Sequence, residues 1–131
     1  MSVVALMMAS AVFAPVAMAQ EPAEVDLQSV TLGPGGSVTV NGTIQCTEGR
    51  YWQVTLDVRQ ARGIANPYVR GGGAASGWCQ TTGPTAFTIV VFAESPFRIG
   101  EVTVMGDGAL FDTQTGANIW TQFGPEEFWL R

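Results

Sequence analysis

The chain has 131 residues, a net charge of −5 and a pI near 4.4, with no histidine and no lysine. An acidic chain without clustered cations is poorly suited to nucleic acid or anionic lipid, so neither is expected as a partner. The missing histidine and lysine remove His-based triads, His-ligated zinc and Schiff-base chemistry.

Residues 1–19 carry no charged side chain, are almost continuously apolar from position 3 to 13, and end Ala17-Met18-Ala19 before Gln20. An apolar run closed by small residues is the pattern signal peptidase cuts, so 1–19 reads as a signal peptide. The run is short for a membrane span, and no stable membrane insertion is expected after cleavage. Residues 20–24 read as a flexible leader and 25–131 as one domain, secreted or associated with the cell envelope. All 16 glycines lie beyond position 19. That is about twice the ordinary frequency and favours strands and turns over helices.

Through most of the domain the apolar residues recur with period two. Val25–Leu32 reads as a first strand, closed by Gly33-Pro34-Gly35-Gly36. From 37 to 46, Val38, Val40, Ile44 and Cys46 share one face; Thr39, Asn41, Thr43 and Gln45 take the other. Trp52, Val54, Leu56 and Val58 then alternate with Gln53, Thr55, Asp57 and Arg59. Residues 47–50 suit a tight hairpin loop between these two strands.

The stretch 61–83, with Gly71-Gly72-Gly73 and little pattern, reads as a long glycine-rich loop holding at most a short edge strand at 68–70. Later strands are expected at 86–93, 101–105, 109–111, 119–122 and 127–130. Short strands with frequent turn signals predict an all-β protein: a single immunoglobulin-like antiparallel β-sandwich of about seven strands. Cys46 and Cys79 are the only cysteines, and in an exported chain they read as one disulfide. Closing that loop is worth about 3–4 kcal/mol on the chain-entropy estimate.

Val38-Thr39-Val40-Asn41-Gly42-Thr43-Ile44-Gln45-Cys46 and Val54-Thr55-Leu56-Asp57-Val58-Arg59-Gln60, with Cys79, Phe87-Thr88-Ile89-Val90-Val91 and Phe97-Arg98-Ile99-Gly100 after them, resemble a known group. It is that of short secreted actinobacterial proteins with an immunoglobulin-like domain of unknown function. The resemblance spans roughly 38–104 and implies export, the disulfide and the fold. It carries no activity and no catalytic residues.

With both cysteines bridged, only carboxylate chemistry remains; Asp57 and Glu101 fall on expected solvent faces, and Glu126 and Glu127 sit beside the chain end. A small carboxylate-based hydrolase is therefore the weakest of three functional readings, and no enzyme is expected. Asp107-Gly108 and Asp112-Thr113-Gln114-Thr115-Gly116 read as turns rather than a calcium loop, so neither metal nor cofactor is expected. The leading reading is a non-enzymatic binding module for a protein or cell-envelope component. Its contact surface is placed in the loop 61–83, where Arg62, Tyr68 and Arg70 are hot-spot residue types. The alternative is a glycan-binding module using Trp78, Trp120 or Trp129 as stacking platforms. The same tryptophans read equally as packing, Trp78 on the disulfide and the other two within a buried final strand.

Overall fold

The computed structural model describes residues 23–63 and 68–131. The expected signal peptide and the first residues of the leader lie outside them. Seven antiparallel strands make the fold: β1 (Val25–Leu32), β2 (Val38–Cys46), β3 (Tyr51–Ala61), β4 (Tyr68–Trp78), β5 (Gly83–Ala93), β6 (Gly100–Phe111) and β7 (Asn118–Leu130). Among the described residues no helix is long and apolar enough to cross a membrane.

The strands run in the order β1-β2-β5-β4-β3-β6-β7. The β5–β4 link is only two residues wide, Gly71 against Ala93 and Gly72 against Phe92. The sheet folds there, placing β1-β2-β5 over β4-β3-β6-β7 around one core. The first, second and fifth strands thus share one layer, and the third, sixth and seventh the other, as in the immunoglobulin fold. Here β4 is added beside β3.

Alternation fills the core. On β2 and β3 every second residue is buried, including Val38, Val40, Ile44, Trp52, Val54, Leu56 and Val58. Trp52, on the third strand, takes the place of the core tryptophan of immunoglobulin domains. Its ring centroid lies 6.4 Å from that of Phe87.

The disulfide joins Cys46, at the end of β2, to Cys79, just after β4, with Cα atoms 5.6 Å apart. It ties one layer to the other where β4 and β5 have diverged. Antibody domains instead bridge the second and sixth strands. Two backbone bonds seal the same corner, Gly49 N–H to Cys79 O at 3.0 Å and Cys79 N–H to Arg50 O at 2.8 Å.

Four expectations need correction. The stretch 61–83 is no long loop, because residues 68–78 form β4, paired with β3 along its whole length. Its glycines are strand glycines that let two backbones approach. A Cβ on Gly71 would sit 2.5 Å from the Phe92 carbonyl oxygen, and one on Gly73 2.6 Å from Ile89 Cγ2. Residues 47–50 do not close a hairpin either: β2 pairs with β1 and β5, and β3 with β4 and β6. Two amphipathic strands in succession each turn an apolar face to the same core, so the chain crosses between layers.

The leader is tied down at its end. Ala23 is fully buried, and the Glu24 carbonyl accepts the Gln45 N–H at 2.9 Å. Finally, the four short strands expected after residue 100 are two long ones, β6 and β7. Gly106 and Gly108 lie within β6 without ending it, and Gly124-Pro125 forms a bulge in β7 against Met105.

Candidate functional site

The same alternation that buries Trp52 and Val54 sends the other phase of β3 outward. Tyr51, Gln53, Thr55, Asp57 and Arg59 therefore face solvent on the four-stranded layer. Pairing brings residues of like phase from β4, β6 and β7 beside them. This face has three zones.

At one end lies an aromatic row. Tyr51 is directly opposite Trp78 on one side and Phe111 on the other. Its ring meets Trp78 edge to face at 5.1 Å, and Phe111 meets Trp120 likewise at 5.6 Å. The row spans all four strands. Ala109, opposite Gln53 and Trp120, is fully buried although it stands outside the core cluster. The outer face here is a packed layer rather than a scatter of rings.

The centre is polar. Asp57 accepts from Arg59 Nε at 2.8 Å and from Arg70 Nε at 2.9 Å. The hydrogen bond to Asp57, and then its charge, raise the Arg70 guanidinium above its ordinary value. Thr55, Asp107 and Gln122 form a cross-strand row over β3, β6 and β7. An open groove of about 500 Å³ lies over this centre, walled in part by Met105 and by Pro125 of the bulge.

At the far end Arg59 lies over the Tyr68 ring, 6.0 Å from its centroid, and Trp129 stands opposite Glu101. Tyr68, Trp78, Trp120 and Trp129 are 51, 53, 55 and 60% exposed. Trp120 and Trp129 are thus surface residues of a strand whose Leu130 is buried.

Five residues singled out in the sequence, Tyr68, Arg70, Trp78, Trp120 and Trp129, fall on this one face. Arg62 donates to the Pro96 carbonyl, fastening the β5–β6 connection. Asp57, considered for hydrolysis, is held between two guanidiniums, while Glu126 and Glu127 lie outside the groove lining. Tyr51, Phe111, Thr55 and Gln122 were not singled out, and Asp107, weighed only as a turn residue, lies within β6 instead. For Tyr51 and Thr55 the signal was present: they share a phase with Asp57.

The turn between β6 and β7 uses its aspartate internally. Asp112 Oδ1 accepts from the N–H of Gln114 at 2.9 Å and of Thr115 at 3.4 Å. The Gln114 bond is the main cause that lowers the Asp112 carboxyl below its usual range. Among the described residues no group of three or more Cys, Asp and Glu side chains is placed to hold a metal ion.

No protein-family model and no curated protein matches the chain.

Proposed function

We propose that this chain is an exported, non-enzymatic binding module whose contact surface is the outer face of the four-stranded layer. The observation that carries this reading is the gathering of Tyr68, Trp78, Trp120 and Trp129, all at least half exposed, on that single face. Large aromatic patches on a small domain mark interaction sites, and Trp, Tyr and Arg are the residue types that dominate binding energy. The apolar stretch at 1–19 and the formed disulfide support an oxidising, non-cytoplasmic location. The partner is a protein or another component of the cell envelope or its surroundings.

Photo-reactive residues at Gln53 and Ser76, on the aromatic face, and at Thr43, on the opposite layer, test this. The secreted protein should cross-link to one recurring partner from positions 53 and 76, and Trp78→Ala with Trp120→Ala should abolish the adduct. Equal labelling from position 43, or adducts indifferent to the tryptophan changes, would refute it.

A further inference from the structure

We infer that the groove over the centre of this face is a subsite for a neutral oligosaccharide, an inference that rests on the binding role proposed above and gives it a ligand class. Its charges cancel: two carboxylates, Asp57 and Asp107, face two guanidiniums, Arg59 and Arg70. Three of these four are already joined, at 2.8 and 2.9 Å. Neither an anion nor a cation finds an excess of opposite charge there. Lysine and histidine are absent from the whole chain.

The groove instead offers donors and acceptors side by side. Thr55, Asp107 and Gln122 lie directly across from one another on three strands. Neighbouring side chains in such a row are about 5 Å apart. Among the described residues, none of the three side chains is engaged in a hydrogen bond or ion pair with the rest of the protein. A hydroxyl, a carboxylate and an amide together supply both donors and acceptors. A ligand bearing many hydroxyls, each both donor and acceptor, satisfies such a set without bringing charge.

The apolar surroundings fit the other half of a sugar ring. Trp120 stands two residues along β7 from Gln122, on the same phase, and is 55% exposed. Met105 and Pro125 line the groove itself. Ligand sites of this kind combine apolar and aromatic walls with a few fixed polar groups. The face is also long. Tyr68 and Trp78 bound the same strand ten steps apart, about 33 Å at ~3.3 Å per residue. An open groove on such a face suits a chain of sugars better than a single one.

The test uses the secreted, disulfide-bonded protein and four neutral probes: cellohexaose, laminarihexaose, mannohexaose and xylohexaose. Hexa-arginine and an alginate hexamer serve as charged comparators. Titration is followed by tryptophan fluorescence and calorimetry. At least one neutral hexamer should bind with a saturable shift. Asp107→Ala, Gln122→Ala and Trp120→Ala should each weaken it by about tenfold, the scale of one lost hydrogen bond or stacking contact. Thr43→Ala, on the outer face of the three-stranded layer, should leave it unchanged. A flat response to all four neutral probes, or binding confined to a charged comparator, overturns the inference. So does sugar binding that ignores the groove substitutions. If the neutral probes fail while positions 53 and 76 still cross-link to a polypeptide, only the sugar assignment falls and the binding face stands.

Discussion

Three consecutive glycines in β4 give the sharpest test of how this sheet folds over on itself. Gly71 faces inward where β4 meets β5, and a methyl group there would lie 2.5 Å from the Phe92 carbonyl oxygen and 2.8 Å from Val91 Cγ1. Gly73, next on that face, would meet Ile89 Cγ2 at 2.6 Å, and Ile89 is itself buried. Gly72 points outward and meets only the Leu56 carbonyl, at 3.3 Å. Overpacking a close-packed interior costs about 1–3 kcal/mol, and more where the obstacle is backbone. Replacing a strand glycine by alanine without a clash gains about 0.4–1 kcal/mol by restricting the unfolded chain.

Gly71→Ala should therefore be the worst of the three. Its obstacle belongs to the two-residue link that joins the layers. Gly73→Ala should follow, relieved in part by movement of Ile89, and Gly72→Ala should be neutral or stabilising. At roughly 4–8 °C per kcal/mol for a domain near this size, Gly71→Ala lowers Tm by about 5–15 °C. Thermal unfolding of the secreted protein, with the disulfide intact, measures the series. Equal effects at all three positions would refute the close β4–β5 approach and restore the reading of this stretch as a loop.

Two further predictions concern the ends of the sheet. Asp112 has a lower pKa in the folded protein than the ordinary unfolded value near 3.9. Its contribution to stability is thus complete above that value and lost as the pH falls through the lower, folded one. Asp112→Ala should be less stable than the parent at neutral pH, with the gap narrowing in acid; a gap that widens in acid would contradict the assigned turn bonds. In the aromatic row, a double-mutant cycle on Tyr51→Ala and Trp78→Ala, read by chemical denaturation, should give a coupling of about 0.5–1.5 kcal/mol. Additive losses would mean the two rings do not pack in solution.

The legible part of this fold was whatever alternation alone determines. The phase of β2 and β3 identified the buried set, Val38 to Val58, and placed Asp57 outward. Alternation also holds at the chain end, where Phe128 and Leu130 turn toward the core and Trp129 outward. What stayed hidden is non-local. Gly71-Gly72-Gly73 looks like a loop because the reason for those glycines, the Phe92 and Ile89 atoms of another strand, lies about twenty residues away. Gly106, Gly108 and Gly124-Pro125 looked like strand ends for the same reason. Continuous pairing of β6 with β7 carries both strands past them. The hairpin expected at 47–50 failed because local spacing cannot show which layer the next strand joins. The candidate site was half visible for a related reason. Exposed tryptophans stand out in a sequence, whereas Thr55, Asp107 and Gln122 acquire meaning only when three strands align them.

The outer aromatics are not accounted for by the needs of the core. The inner phase of every strand in the four-stranded layer already supplies buried side chains, from Trp52 and Val69 to Leu110 and Leu130. Trp78, Trp120 and Trp129 sit on the other phase, more than half exposed, where a threonine or glutamine would suit the pleat as well. On the three-stranded layer Asn41 donates to Ser29 and accepts from Thr88, one internally bonded cluster. On the four-stranded layer the Thr55, Asp107 and Gln122 side chains have no hydrogen-bond partner among the described residues and stand beside the rings. Solvated polar side chains are ordinary on a strand face; what sets this one apart is that they stand beside exposed indoles, the combination of aromatic wall and fixed polar groups that a ligand site uses. Removing Trp120 or Gln122 should therefore affect binding far more than folding, and a loss of stability as large as the loss of binding would return these residues to a purely structural role.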